Sequence, residues 1–362
     1  MASQNRTHAS DRGKAITDIP SEPTIGTATA GGEAASVAFT ASTKGGTATS
    51  FTALSNPGSF TATGSSSPIT VTGLTAGTPY TFTVRGNNQT GNGGYSVSSN
   101  SITPTARIML DYLVVAGGGG GGSQDGGGGG AGGYRASTGV SFDPSFTVTV
   151  GAGGASQTQG SNSVLSFITA SGGGAGAGSS NGSSGGSGGG GARNGSKGTG
   201  NSGGYSPVEG YDGGNGSGNV PYTGGGGGGA GGAGGGSGGS FAGSGGSGVA
   251  NSITGSSITY AGGGGGGARG NDDGRSGSGG SGGGGNGSYT GIGQDGTANL
   301  GGGGGGSTGG NQGGAGGSGV VIIKYSNTYT PTIGAGLTSS TATSGAYKIT
   351  TFTAGTGTVS FA

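Results

Sequence analysis

The sequence predicts an all-β chain, essentially without α-helix. A β-sandwich precedes a glycine-rich body of polyglycine II helices with flanking strands. Two observations carry that expectation. Between 21 and 106, short segments alternate apolar and polar residues with period two, the mark of strands that bury one face. Between 107 and 325, 90 of 219 residues are glycine, too many for a core built from side chains, so backbone hydrogen bonding must order whatever is ordered there. No βαβ pattern accompanies either part.

Residues 1–20 are expected to be a flexible N-terminal arm. They show no apolar periodicity, and they lack the apolar stretch of a secretory signal. Residues 21–106 contain SVAFTA (36–41), SFTALS (50–55), PITVTGL (68–74), PYTFTVRGN (79–87) and YSVSSNSITPT (95–105). Each is rich in Val, Phe, Thr or Tyr and bounded by Gly, Asn or Pro, as strands of an antiparallel sandwich are. LTAGTPYTFTVRGNNQTGNG (74–93) resembles the strand E to strand F region of a fibronectin type III domain. That resemblance implies a core role for Leu74, a tyrosine corner at Tyr80, and inward-facing Phe82 and Val84. It leaves Phe39 where the family carries a strand-B tryptophan.

Residues 107–325 form the glycine-rich body. IMLDYLVVAG (108–117) opens it and GVVIIKY (319–325) closes it, with FTVTVGAG (146–153), NSVLSFITASG (162–172) and NSITGSSITYAG (251–262) between. Runs of six glycines stand at 117–122, 224–229, 262–267 and 301–306. Collagen is excluded, because the body has no fixed three-residue frame and little proline. A flexible glycine-serine tether is the competing reading, but a tether gives no reason to place aliphatic residues directly before glycine runs. Polyglycine II helices make no internal hydrogen bonds, so every N–H and C=O points outward to a neighbouring helix. Six to ten residues would span roughly 19–31 Å. Net hydrogen-bond gain roughly cancels backbone entropy in such a bundle, so the aliphatic clusters are expected to anchor it.

LVVAGGGGGG at the start, with GGSGVVIIKY at the end, resembles the glycine-rich domain of bacteriophage tail-fibre and adhesin proteins, and the organisation is similar to the polyglycine sandwich of T-even tail-tip adhesins. The last segment, 326–362, is expected to be a β-hairpin, with YKITTFTAGTGTVSF (347–361) turning at Gly355 and Gly357. It resembles the strand pair that often precedes LVVAGGGGGG in those proteins, but here it comes last.

Composition narrows function further. Net charge is +1 and the 13 Lys and Arg residues are scattered, which disfavours a nucleic-acid partner. Aliphatic runs are far too short for membrane insertion by a helix. The absence of cysteine suits a virion protein made in a reducing host cytoplasm and released by lysis.

No enzyme reading survives, and no cofactor is implied. GxGxxG recurs by chance at this glycine content, without a following helix to hold an anion. GxSxG occurs at 235–239, but His8 is the only histidine and lies in the arm, which leaves no base for a hydrolase triad. Glu209 and Asp212 have no scaffold to converge them for glycoside hydrolysis. GARGNDDGRSG (267–277) lacks the tandem spacing of a calcium repeat, so Asp272 and Asp273 fit a solvated turn better than a metal site.

The segment YSPVEGYDGGNGSGNVPY (205–222) offers Tyr205, Tyr211 and Tyr222 beside Glu209 and Asp212. Such rings either stack on a sugar or receptor loop or cap the ends of glycine helices. Tyr134, Phe241, Tyr260 and Tyr289 also border glycine tracts. The adhesin resemblance implies receptor contacts in 205–222 and in 269–275, the latter with Arg269, Asp272 and Asp273.

The expected function is that of a structural phage virion protein, a tail-fibre or receptor-binding component. Its partners would be other virion proteins and a host surface receptor, either a glycan or an outer-membrane protein. A homotrimer suits a fibre, although no heptad or collagen segment specifies one. The alternatives are a capsid decoration protein, or a bacterial surface adhesin or ice-binding glycine bundle.

Overall fold

The computed structural model describes residues 18–218, 222–238, 240–269 and 275–361. The described residues contain strands and turns but no helix, and the chain divides into two compact units, 1–107 and 108–362. The arm expected over residues 1–20 lies outside the described residues up to position 17; residues 18–20 correct that expectation, because the Asp18 and Ile19 carbonyls accept from Asn88 and Gly46 and Pro20 bridges to Gly45.

The first unit holds β1 (Thr24–Gly31), β2 (Ala34–Thr40), β3 (Ser50–Asn56), β4 (Thr61–Gly64), β5 (Ile69–Thr72) and β6 (Thr81–Asn87). They form two antiparallel sheets, ordered β1-β2-β5 and β4-β3-β6. In β2, β3 and β6 every second residue is buried, so the period-two pattern delivers one apolar face from each sheet. Those faces meet in a single core containing Val37, Phe39, Phe51, Val71, Leu74, Phe82 and Val84. Phe39 packs its ring 4.7 Å from that of Phe51, filling the place of the missing tryptophan. The Tyr80 hydroxyl accepts the Thr75 N–H at 3.1 Å, closing the expected tyrosine corner.

The strand expected over 95–105 does not form as a regular ladder. The segment runs beside β6, where Ser96 and Ser99 donate their N–H groups to Val84 and Phe82. The hydroxyls of the same two serines accept the return N–H groups of Val84 and Phe82, both at 3.0 Å. Serine side chains thus replace backbone carbonyls and break the ladder.

The second unit holds β7 (Ile108–Val115), β8 (Tyr134–Phe142), β9 (Ser145–Thr149), β10 (Ser163–Leu165), β11 (Ile168–Ala170), β12 (Val249–Asn251), β13 (Ile258–Tyr260), β14 (Val320–Ser326), β15 (Pro331–Ile333), β16 (Leu337–Ser344) and β17 (Tyr347–Phe361). The order β11-β10-β9-β17-β14-β7-β8 runs through β17, which β15 and β16 also join. The first half of β17 pairs with β14 and β16, and its second half with β9 and β15. The two halves share one core, in which Phe142, Phe146, Leu165, Val321, Ile323, Phe352 and Val359 are buried together. The expected turn at Gly355 and Gly357 is therefore a correction. Gly355 adopts φ +93°, within the range glycine tolerates, and bends a continuous strand, while the hairpin reverses between Ser344 and Tyr347.

β14 is buried on both faces, which explains its unbroken aliphatic run. Its second face, with Val320 and Ile322, joins Leu113, Val115, Ala131, Ala230, Tyr260 and Ala261 in another apolar cluster. That cluster is the base on which the glycine segments stand. Gly117 follows Val115 and Ala116, Gly262 follows Ala261, and Gly301 follows Leu300.

The glycine runs are ordered with a repeat of three residues. Gly117 and Gly120 donate to Ser161 and Thr158, Gly118 and Gly121 to Gly317 and Gly314, and Gly119 and Gly122 to Gly130 and Gly127. Three residues per turn is the polyglycine II repeat, and each run behaves as a rod that bonds in several directions.

Rod 126–131 is the centre of the bundle. Its N–H groups go to Ser307 and Gly304, to Ala177 and Gly174, and to Gly225 and Gly228. Its carbonyls accept from Gly267 and Gly264, from Gly122 and Gly119, and from Gly190 and Ser187. Six rods thus surround it, and they also bond to one another in a closed ring: 117–122, 173–177, 187–191, 224–229, 262–267 and 301–306. All four six-glycine runs belong to that ring. A Cβ on Gly118, Gly128 or Gly264 would collide with the carbonyl oxygen of Gly302, Gly264 or Gly304 respectively, which is why these positions hold no side chain.

Rods outside the ring carry a side chain at every third place, on the solvent side. The repeat GSGGSG at 243–248 exposes Ser244 and Ser247, and the same repeat at 277–282 exposes Ser278 and Ser281. GAGGA at 151–155 exposes Ala152 and Ala155 while burying Gly151 and Gly154.

Candidate functional site

Because the inner rods share an apolar base, the turns at their other ends gather at one far end. Gln124 and Asp125 turn the chain between rods 117–122 and 126–131, with φ of +58° and +61°. Arg193 follows the rod that ends at Gly191, Tyr222 precedes Gly224, Arg269 follows Gly267, and Thr308 follows the 301–306 run. The Arg269 N–H donates to the Tyr222 carbonyl at 3.1 Å, tying two of these turns together.

Asp125 organises the far end. Its side chain is 1% exposed and accepts hydrogen bonds from Arg193 Nη2 at 3.1 Å, Arg193 Nε at 3.3 Å and Thr308 Oγ1 at 2.9 Å. The Arg193 guanidinium also lies over the Tyr222 ring, 4.7 Å from its centre. Gln124, Arg193, Arg269, Gly309 and Gly310 line a cleft of about 260 Å³ beside this cluster. The arrangement leaves cationic and aromatic groups at the surface, held by a buried carboxylate.

The residues singled out from sequence do not come together: they stand at the far end, at the base and along the outer wall. Tyr222 and Arg269 stand at the far end, and Asp272 and Asp273 lie outside the described residues. Tyr205 and Glu209 stand at the base, beside β8. The Tyr205 ring lies under the Arg135 guanidinium at 4.0 Å, and the Tyr134 N–H donates to the Glu209 carbonyl at 2.9 Å. Glu209 is fully buried and its Oε2 accepts the Ser171 N–H at 2.8 Å. Its position corrects the expectation of a surface contact: one carboxylate oxygen takes a backbone amide inside the glycine packing, and the other, Oε1, is buried without a partner among the described residues.

Tyr211 is exposed and sits one step up from the base, where its carbonyl accepts the Gly188 N–H. Asp212 lies half-exposed along the outer wall. The Gly200 N–H and then the Lys197 ammonium, at 2.9 Å each, hold its carboxyl below the usual carboxylate range. Tyr134 is shifted the other way, its hydroxyl pushed up by burial and partly relieved by Asn251, which donates to it at 2.8 Å.

Sequence reasoning missed Asp125, Arg193 and Thr308, because each sits in a short polar turn (Ser123–Asp125, Arg193–Asn194, Ser307–Thr308) like many others between glycine runs. One signal was available: all three follow directly on the last glycine or alanine of a rod, or on the one or two residues after it.

Two family profiles match the chain. The profile described as a fibronectin type III domain matches residues 19–102, and the one described as a glycine-rich domain matches residues 96–326. No curated protein matches it. The fibronectin type III match lies within the first unit, and the glycine-rich match runs from the end of that unit through the rod bundle to Ser326, leaving out β15, β16 and β17. The chain belongs to the glycine-rich domain family and carries a fibronectin type III domain ahead of that region.

Proposed function

We propose that this chain is a structural protein of a bacteriophage virion, a tail-fibre or receptor-binding component. It would touch the host surface through the turns at the far end of the rod bundle. One observation carries the reading: a bundle fixed at its base to a sheet brings Gln124, Arg193, Tyr222 and Arg269 together at the opposite end. A bundle in which each inner rod is hydrogen-bonded on all sides is stiff, and stiff scaffolds present loops at little entropic cost. The side chains at that end are of the kinds enriched in recognition surfaces. The fibronectin type III domain would serve as spacer or attachment module towards other virion proteins, and the host receptor would be a glycan or an outer-membrane protein.

Mass spectrometry of purified phage particles, with a labelled antibody to place the chain, tests this reading. Detection at the tail supports it, detection on the capsid supports a decoration role instead, and absence from any virion overturns it. Adsorption competition by the purified chain tests the contact itself. The variant Arg193→Ala, Arg269→Ala should compete less well than the parent chain.

A further inference from the structure

At the base of the bundle, opposite the far-end cluster, two adjoining clefts open beside β8. One, of about 500 Å³, is lined by Asp111, Ser137, Thr138, Asn251, Ser252 and Lys324. The other, of about 350 Å³, is lined by Tyr134, Arg135, Pro207, Val208 and Val249 among others. Ala136 and Ser137 line both, so the two form one two-lobed cleft. These volumes fall in the range of small-molecule sites.

The first lobe holds hydrogen-bonding capacity of both signs with no net charge. Asp111 accepts the Gly139 N–H at 2.9 Å and the Lys324 ammonium at 3.1 Å, and a carboxylate has further lone pairs to offer. The Lys324 ammonium also lies 4.5 Å from the centre of the Tyr347 ring, and its N–H groups beyond the Asp111 bond and that ring face remain for a ligand. Asn251 donates to the Tyr134 hydroxyl at 2.8 Å and accepts the Ile253 N–H at 2.8 Å, which leaves one amide hydrogen and one lone pair. The second lobe adds the apolar surfaces of Pro207, Val208 and Val249. Its one cation, Arg135, is already engaged over the Tyr205 ring and with the Thr169 carbonyl at 3.2 Å.

An anion would meet the Asp111 carboxylate, and a cation would meet Lys324. A sugar meets neither penalty, because its hydroxyls both donate and accept while its C–H faces cover apolar side chains. We propose that this cleft binds a neutral oligosaccharide, with Asp111, Lys324 and Asn251 bonding its hydroxyls. The assignment does not depend on the virion reading, and it places a second recognition site at the end away from the proposed host contact.

The test is the purified full chain on an array of neutral, sialylated and sulfated oligosaccharides, followed by calorimetric titration of the best neutral binder. Binding to neutral glycans is expected. Asn251→Ala should weaken it about tenfold, the effect of losing a hydrogen bond worth about 1.4 kcal/mol. Ser137→Trp, at an exposed position, should abolish it by filling the cleft without changing the melting temperature, whereas Ser244→Ala on the outer wall should leave it intact. Binding to no glycan, preference for the acidic glycans, or undiminished binding by Ser137→Trp would each overturn the proposal. None of these outcomes bears on whether the chain is found in virions.

Discussion

The backbone N–H of Gly264 donates to the carbonyl of Gly129 at 2.9 Å, and the N–H of Gly129 passes on to the carbonyl of Gly304 at 2.8 Å. Three rods remote in sequence are joined here with no side chain between them. A Cβ on Gly129 would collide with the Gly119 carbonyl oxygen. Gly129→Ala should therefore destabilise the second unit by about 3 kcal/mol, the upper end of core overpacking. Ser244→Ala, on an outer rod facing solvent, should stay within about 0.5 kcal/mol. Denaturant unfolding of the two variants gives the comparison.

β17 is shared by both halves of the sheet that bears the rods. Phe352 on β17 is fully buried between them, so Phe352→Ala should cost about 3–5 kcal/mol. Because the halves share that strand, they should lose structure together. Near-ultraviolet circular dichroism and glycine amide protection should then report the same unfolding midpoint.

The tyrosine corner acts within the first unit alone. Tyr80→Phe removes the acceptor of the Thr75 N–H, and Thr75 is exposed enough for water to replace it. The loss should be about 0.5–1.5 kcal/mol, read as faster hydrogen exchange at β6 with the second unit unaffected.

Asp212 gives a pH dependence of defined sign. Its folded pKa is depressed, first by the Gly200 N–H and then by Lys197. Its contribution is present above the unfolded aspartate value of about 3.9 and is lost as pH falls through the lower folded value. Wild type should exceed Asp212→Asn in stability at neutral pH, with the gap closing below about pH 4. The gap should be small, because the Asp212–Lys197 pair is partly solvated. Urea midpoints from pH 7 to pH 2 follow both chains.

Much of this architecture is legible in the residues. Tyr80, Phe82 and Val84 announce the sandwich because burial alternates with position along β6 and the residue before it, and Leu74 adds a buried residue from the preceding turn. The six-glycine runs announce inner rods because only glycine survives contact on every side. Less legible was the rest of the bundle, where Ser244, Ser247, Ser278 and Ser281 mark outer rods by a local three-residue frame that glycine content obscures. The strands β8 and β16 also escaped, since β16 is almost wholly solvent-exposed and β8 buries only Phe142, so neither shows an alternating apolar face. The far-end site was half visible: aromatic Tyr222 stood out, but Asp125 and Arg193 meet only through rod geometry. Glu209 misled, because a charged residue among glycines suggests a surface loop whereas its carboxylate is buried on an amide.

The central claim is that the glycine segments are a folded, hydrogen-bonded body rather than a tether. Amide hydrogen exchange of rod 126–131, read residue by residue by nuclear magnetic resonance in the full chain, tests it most directly. A bundle predicts protection of these glycines comparable to that of β14, since opening one rod breaks bonds to six neighbours. Exchange at the rate of an unstructured glycine-serine chain, with β14 still protected, would contradict it.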